Sequence, residues 1–134
     1  MNNIETVKKA YELFGAGDID GLLSLNSDDI SWTIPTIENV PFSGSRTGKP
    51  AVAEFFTQLA DAEEFTHFAP TEFIADGDRV VALGSSKGRV KSTGNQFATD
   101  WVHVFTVKDG KITSFLEFFD SAAMTRAYQK TAAA

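Results

Sequence analysis

The first part of the chain shows helical spacing of apolar residues. Ile4, Val7, Tyr11 and Phe14 recur at intervals of three and four, which places them on one face of a helix. Glycines at 15 and 17 predict its end, because glycine is favoured just past a helix C-terminus. Asp18 is then the predicted N-cap of a second, short helix. The chain therefore begins with two consecutive helices.

One short strand and a third helix follow. A turn is predicted over residues 26–29, and residues 30–34 alternate apolar and polar side chains with the period of a strand. Pro35 ends this strand or puts it on an edge. Residues 36–48 are predicted as a loop, and Pro50 suits the first turn of a third helix. Its predicted buried stripe consists of Val52, Phe55, Phe56 and Leu59.

From residue 65 onward the pattern is that of β structure. Strands are predicted over 65–75, 79–90, 96–107 and 112–119, with a bulge or sheet edge at Pro70. Asp76–Asp78 and Lys108–Lys111 are predicted hairpin turns, and a helical stub capped by Asp120 runs to Tyr128. Three helices followed by consecutive strands indicate an α+β domain. We expect a strongly curved antiparallel sheet packed on three helices, forming a cone with a closed end and an open mouth.

Composition excludes several classes of function, but it says less about the fold. A chain of 134 residues with 43% hydrophobic residues, 12 of its residues Phe, is one domain with ample material for a core. We expect a single domain over 1–134, with frayed alanines at its end. The net charge of −6 argues against binding to nucleic acid or to an anionic membrane surface. Cysteine is absent, which excludes thiolate chemistry and disulfides.

Cellular location is addressed by what the sequence lacks. No apolar run is long enough for a transmembrane helix, and the first residues lack the basic and apolar pattern of a signal peptide. We therefore expect a cytoplasmic protein.

Several short motifs together resemble one superfamily. They are Gly17–Gly21 after the first helix, Trp32 after an acidic turn, Pro41–Gly44 before the Gly-Lys-Pro start of the third helix, Trp101–Phe105, Asp109–Ile112 and Glu117–Asp120. The chain resembles the nuclear transport factor 2-like superfamily, and looks most like its SnoaL-like, ketosteroid-isomerase-related branch, over essentially its whole length. This resemblance implies the cone-shaped cystatin-like roll. It says little about activity, because the same fold serves many reactions.

The resemblance can be tested at the positions of the known catalytic groups. The tyrosine of steroid isomerases falls on Ala10, and Tyr11 would point about 100° away from it on a helix. Their general base falls on Ile34, and their second oxyanion donor falls on His103. We therefore do not expect steroid isomerisation by that set of groups. The acid of SnoaL-type cyclases is matched by Glu117, a Glu where that group has Asp, and the Asp-Arg-Asp set of epoxide hydrolases has no match.

His103 and Glu117 are the predicted catalytic pair. Strand alternation puts Trp101, His103 and Phe105 on one face, and Phe115 and Glu117 share a face of the next strand. Direct pairing from the Lys108–Lys111 turn would place a residue around 114–116 opposite His103, with Glu117 diagonal to it and within reach. An imidazole beside a carboxylate in an apolar pocket suits proton transfer. We expect Glu117 to act as a general base or acid with His103 as its partner.

Aromatic side chains are the candidates for binding an apolar ligand. These predicted ligand-binding residues are Tyr11, Trp32, Phe55, Trp101, Phe115 and Phe119. No metal site or phosphate-binding loop is recognised, so no metal and no cofactor are expected. The outer sheet face carries Val102, Val104, Leu116 and Phe118, too apolar for water, which predicts a homodimer through that face.

Two classes of function stay open at this point. The first is a cofactor-free enzyme that transfers a proton on an apolar carbonyl compound, by isomerisation, cyclisation or dehydration. The second is a non-catalytic module of the same fold, either binding a hydrophobic ligand or serving only for dimerisation. In the second class, the Glu–His pair is a buried structural hydrogen bond and the aromatic residues are plain core.

Overall fold

The computed structural model describes residues 1–130, and the alanines expected to fray lie outside the described residues. The helices are α1 (Asn3–Gly15), α2 (Ile19–Ser24), α3 (Lys49–Ala62) and α4 (Ser121–Ala127). The strands are β1 (Asn26–Ile34), β2 (Gly44–Thr47), β3 (Glu63–Asp76), β4 (Arg79–Val90), β5 (Gln96–Lys108) and β6 (Lys111–Phe119). The strands form one sheet in the order β2-β1-β6-β5-β4-β3. The predicted α+β fold, with helices packed on a curved sheet, is confirmed.

Helix ends follow the capping residues of the sequence. Asp18 accepts a hydrogen bond from the backbone N–H of Gly21 at 2.8 Å, and Asp120 accepts one from Ala123 at 3.0 Å. Both side chains satisfy N–H groups that the first helical turn leaves without a partner. Pro50 lies in the first turn of α3, where its missing N–H costs nothing. The predicted starts of α2, α3 and α4 are therefore confirmed.

The sheet is mixed, whereas an antiparallel sheet was expected. Strand β1 runs parallel to β6, with Trp32 beside Phe115, and the other neighbouring strands are antiparallel. The sequence pattern could not show this, because β1 and β6 lie far apart along the chain and no hairpin fixes their relative direction. This parallel pairing brings the first strand next to the last one and so places Trp32 beside the candidate site.

Two segments predicted as irregular belong to strands. Residues 26–29 form the start of β1, where the register shifts between Asn26 and Ser31 as it does at a bulge. Residues 44–47 form the short edge strand β2 within the predicted loop, where Arg46 pairs with Trp32. Both segments are rich in Ser, Asp and Gly, so their local preference favours turns. Pairing with neighbouring strands overrides that preference.

Two glycines of β4 allow close packing against the neighbouring strand and the aromatic rings. A Cβ atom at Gly84 would lie 2.4 Å from the Trp101 ring and 2.5 Å from the Ala69 carbonyl oxygen. At Gly88, it would lie 2.4 Å from the Glu64 carbonyl oxygen. Only glycine allows such close approach of β3 and of the aromatic rings. The inner face of the sheet therefore closes around an aromatic interior that α1 and α3 cover.

The length and hydropathy of the helices bear on whether the described chain could span a membrane. Within residues 1–130, no helix is both long and apolar enough to cross a bilayer. The compartment in which the chain works stays a prediction.

Candidate active site

The concave face of the sheet and the helices surround a cavity of about 110 Å³. The eight side chains selected from the sequence all line it: Tyr11, Trp32, Phe55, Trp101, His103, Phe115, Glu117 and Phe119. Most of the remaining lining is aliphatic or aromatic, which makes an apolar environment for the few polar groups. The structure thus brings these residues together, while their roles stay a prediction.

His103 and Glu117 form a short hydrogen-bonded pair in the cavity wall. The distance from Nε2 of His103 to Oε2 of Glu117 is 2.6 Å, and the side chains are 4% and 16% exposed. The two residues lie directly opposite each other on β5 and β6. An interaction that combines such a short distance with burial has the properties of a charge-assisted hydrogen bond.

The direct pairing of these residues corrects the expected diagonal arrangement. Lys108 pairs with Lys111 as the turn predicts, but the register then shifts between Thr106 and Val107. Thr113 is the additional residue on β6, and its hydroxyl donates to the Thr106 carbonyl at 3.3 Å. A bulge of one residue moves every later pair by one position. Glu117 consequently lies opposite His103, where uninterrupted pairing would have placed Leu116.

Tyr11 extends the pair into a chain of three groups. Its hydroxyl lies 2.7 Å from Nδ1 of His103, and its ring stacks nearly parallel to the imidazole. The family position that falls on Ala10 suggested that Tyr11 would point elsewhere. Ala10 also lines the cavity, and the tyrosine is long enough to reach His103 from the next position on α1.

Burial keeps the Tyr11 phenol protonated. Burial raises the pKa of this phenol well above its ordinary value, and the negative charge of Glu117 adds to the effect. The Tyr11 hydroxyl and Nδ1 of His103 share one hydrogen bond, and Nε2 of His103 shares the other with Oε2 of Glu117. A carboxylate oxygen has no hydrogen to give, so in the second bond Nε2–H donates to the ionised Glu117. The second oxygen of Glu117 has no hydrogen-bond partner among residues 1–130.

Aromatic rings pack around the hydrogen-bonded groups Tyr11, His103 and Glu117. The Trp101 ring stacks on the His103 ring with centroids 3.9 Å apart, and Phe68 stacks on Trp101. Trp32 stacks on Phe115 at 3.9 Å, and Phe55 packs against Trp32 at 5.4 Å. These contacts leave the imidazole little freedom to rotate, so His103 is fixed in the orientation that serves both hydrogen bonds.

Glu63 is a second carboxyl in the cavity wall that sequence reasoning missed. It is the first residue of β3, is 6% exposed, and accepts a hydrogen bond from the Tyr128 hydroxyl at 2.5 Å. Burial raises the pKa of this carboxyl to about 7, against the opposing effect of the Tyr128 hydrogen bond and with a further increase from Glu117. In the sequence, Glu63 belongs to the polar run Asp61–Glu64 in which α3 was predicted to end. Nothing there distinguishes it from Glu64, which the structure shows to be exposed.

Buried polar groups without partners are also found next to the cavity. Asn26 is 1% exposed, and neither atom of its amide group finds a hydrogen bond within the described residues. The indole N–H groups of Trp32 and Trp101 are likewise unpaired there. Each such group costs about 1–3 kcal/mol. These positions were not recognisable from the sequence, where Asn26 appeared to belong to a turn.

Other polar residues lie outside the cavity or lack the arrangement that a metal ion needs. His67 is exposed and contacts the Ser85 hydroxyl at 3.1 Å. Asp100 is exposed on the outer side of the sheet, as its position in the alternation predicts. In the described part of the chain, no three His, Asp or Glu side chains are grouped as they would be around a metal.

Comparison with known families and structures agrees with the fold. The model of the SnoaL-like domain matches residues 7–115. The chain belongs to the SnoaL-like family. An NTF2-like protein from Burkholderia xenovorans LB400 is 38% identical, with a TM-score of 0.86 and 95% of each chain covered. The superfamily and branch predicted from the motifs are therefore confirmed.

Two further solved structures in the comparison have more specific names. TerC, co-crystallised with polyporic acid, is 31% identical, with a TM-score of 0.84 and coverage of 94% of this chain and 97% of that one. A Mesorhizobium loti protein named as a SnoaL-like polyketide cyclase is 25% identical, with a TM-score of 0.74 and coverage of 88% and 99%. None of the curated proteins matches this SnoaL-like chain.

Proposed function

We propose that this SnoaL-like protein is an enzyme that transfers a proton on an apolar carbonyl compound held in the cavity. The observation that carries the proposal is the hydrogen-bonded chain Tyr11–His103–Glu117, which ends at an unpaired carboxylate oxygen in an apolar wall. Such an oxygen can take a proton from carbon, because no donor among residues 1–130 occupies it.

Glu117 is the proposed base in this reaction. Its free oxygen takes a proton from the carbon next to the ligand carbonyl. The electron pair of that C–H bond forms a C=C bond to the carbonyl carbon, while the π pair of the C=O bond moves to the carbonyl oxygen. The resulting enol or enolate takes a proton back at the same carbon or at another one. Isomerisation, cyclisation and dehydration of carbonyl compounds all contain this step, so the geometry supports the class and not a single reaction.

His103 and Tyr11 are the proposed positioning residues. His103 donates its Nε2 hydrogen to Glu117 and so directs the other carboxylate oxygen toward the ligand. Tyr11 donates to Nδ1 and thereby keeps the histidine hydrogen on Nε2. Fixing one tautomer is a known function of the group that lies behind a histidine in proton-transfer sites.

The class of ligand follows from the lining and finds support in the comparisons. Trp32, Trp101 and Phe115 offer flat apolar surfaces, which favour an aromatic or polycyclic molecule. The relative TerC was crystallised with polyporic acid, and another relative is named as a polyketide cyclase. We therefore propose, as substrate class, an aromatic ketone that carries a hydrogen on the carbon next to its carbonyl.

Exchange of the ligand's carbon-bound hydrogens tests the proposal. The protein is incubated with 1-indanone in D₂O, and loss of the hydrogens next to the carbonyl is followed by NMR. We expect exchange above the buffer rate, reduced about 100-fold or more by Glu117→Gln. The matched control is Glu72→Gln, since Glu72 is an exposed glutamate on β3 and its variant should exchange normally.

The result also separates the enzyme from a binding module of the same fold. Equal exchange in Glu117→Gln and in the control would contradict the role of Glu117. Binding of 1-indanone or polyporic acid, measured by calorimetry, with no exchange above the buffer rate would identify a non-catalytic hydrophobic-ligand-binding protein.

A further inference from the structure

Glu63 is a buried carboxyl that the proposed reaction does not use. It lines the same cavity as His103 and Glu117 but projects from the start of β3, at the junction with α3. In the strand pairing, it lies opposite Val90, whereas His103 lies opposite Ala82, eight residues earlier on β4. Both residues nevertheless line one cavity. Glu63 is therefore a second polar position, separate from the Tyr11–His103–Glu117 chain.

The partners of Glu63 do not account for both of its oxygens. The Tyr128 hydroxyl from the end of α4 donates to Oε2. The other oxygen, Oε1, has no hydrogen-bond partner within residues 1–130, and no cation there forms an ion pair with this carboxyl. The adjacent Glu64, in contrast, is exposed and pairs with Arg89 at 3.7 Å. A buried carboxyl without a counter-ion is expensive to maintain, which a purely structural role does not require.

Ser86 adds a second polar group on the same inner face. It is 4% exposed, lines the cavity, and forms no side-chain hydrogen bond to any described residue. It lies opposite Phe68 on β3, and three residue pairs separate it from the Glu63–Val90 pair. Ser86 and Glu63 are therefore two distinct polar positions in an otherwise apolar wall, and Glu63 is the larger of the two and the one that can ionise.

The protonation state of Glu63 determines which substituents suit it. Because burial raises the pKa of this carboxyl to about 7, a large share of it is neutral in weakly acidic solution. The neutral form can donate its O–H to a ligand oxygen and also accept from a hydroxyl. The nearby groups that face it are Tyr128, which stays protonated, and Glu117, whose negative charge disfavours a second anion.

We propose that Glu63 binds a second, uncharged oxygen substituent of the ligand, while the carbonyl end lies at Glu117. This inference rests on the proposed function and specifies its substrate class. The ligand is an aromatic carbonyl compound with a hydroxyl or a second carbonyl group on its far side. A carboxylate in that place is disfavoured, because it would face the Glu63 carboxyl.

Calorimetry with three matched ketones tests this selectivity. The probes are 1-indanone, 5-hydroxy-1-indanone and 1-indanone-5-carboxylate. At pH 6.5, we expect the hydroxy ketone to bind about 10-fold more tightly than 1-indanone, as one additional hydrogen bond allows. Glu63→Leu should abolish this preference, while Glu64→Gln, which alters the exposed neighbour, should retain it.

A second test uses Glu63→Gln, which keeps the shape of the side chain and is expected to bind a carboxylate ligand more tightly. At pH 8, Glu63→Gln should bind 1-indanone-5-carboxylate about 10-fold more tightly than the unsubstituted protein does, since one negative charge is removed from the wall. Glu64→Gln removes the same charge from an exposed position and should leave this affinity unchanged.

The outcomes distinguish this inference from the proposed function. Equal binding of 1-indanone and its hydroxy derivative by the unsubstituted protein would overturn the role of Glu63. So would a preference that survives Glu63→Leu, or an unchanged affinity for the carboxylate in Glu63→Gln. Exchange that depends on Glu117 would still stand in each of these cases. Absence of such exchange, in contrast, contradicts the proposed function by itself.

Discussion

The carboxyl groups of Glu117 and Glu63, both in the cavity wall, lie in environments that stabilise a negative charge to different degrees. Glu117 has a hydrogen-bond donor in His103, whereas within residues 1–130 Glu63 has only the Tyr128 hydroxyl and lies deeper in apolar surroundings. Two carboxyl groups in unlike environments are a frequent basis for separate acid and base roles in one site. The difference has a consequence for stability that does not depend on any ligand.

Glu63 should make stability depend on pH between about 4.5 and 7. Its folded pKa of about 7 lies above the ordinary value of 4.5, so the folded protein holds this proton more tightly than the unfolded chain. The stabilisation is fully present below pH 4.5 and is lost as the pH rises to 7. It amounts to about 3 kcal/mol.

Urea unfolding of the unsubstituted protein and Glu63→Gln at several pH values measures this effect. Carboxyl groups common to both proteins cancel in the difference. The free energy of unfolding of the unsubstituted protein should fall relative to that of the variant as the pH rises from 4.5 to 7. A difference that stays constant over this range would show that Glu63 is ionised in the folded protein.

At the level of elements, two local irregularities create the site. The bulge at Thr113 places Glu117 opposite His103, and the glycines of β4 leave room for the rings of Trp101 and Phe97. Both features lie on the strands next to the predicted catalytic pair. A regular sheet with the same alternation would carry the same residues but would not arrange them around one cavity.

Gly84→Ala should destabilise the protein by about 3 kcal/mol, because the added methyl group overlaps the Trp101 ring and the Ala69 carbonyl oxygen. Gly15→Ala is the matched control. No atom lies within 4 Å of the position where its Cβ would be, and alanine favours the helix by up to about 1 kcal/mol. Urea unfolding of the two variants checks this. Equal stability would mean that β3 and Trp101 move aside without cost.

On the scale of the whole molecule, the outer sheet face carries an apolar surface that nothing among residues 1–130 covers. Val102, Val104 and Leu116 are half-buried there, and Phe118 is 52% exposed. These residues lie on neighbouring strands β5 and β6, where they form a continuous apolar surface. Such a surface is costly in water. We propose that a second copy of the chain covers it.

Sedimentation velocity at a series of micromolar concentrations tests this proposal. We expect a dimer that dissociates on dilution, and Phe118→Glu should shift the equilibrium toward the monomer by introducing two charges at the interface. Ile74→Glu, which changes an exposed apolar residue on edge strand β3, should leave the equilibrium unchanged. A protein that is monomeric at all concentrations would contradict the proposal.

The sequence alone determined the elements whose signals are local. Helix caps at Asp18 and Asp120, the hairpin at Lys108–Lys111 and the inward alternation of Trp101 and His103 depend on neighbouring residues, so pattern and capping chemistry predict them. The motifs also identified the superfamily. Six of the eight side chains selected for the cavity lie on strands, where alternation states which face a residue occupies even when the exact cross-strand partner is unknown. The other two, Tyr11 and Phe55, belong to the apolar stripes of α1 and α3.

Tertiary structure decided what depends on distant segments. The parallel pairing of β1 with β6, the reach of Tyr11 to His103 and the burial of Glu63 beneath Tyr128 join residues far apart in sequence. The one-residue bulge at Thr113 left no recognisable signal, because threonine fits a regular strand equally well. Local pattern determines which way a side chain points, whereas only the folded chain determines which side chain it meets there.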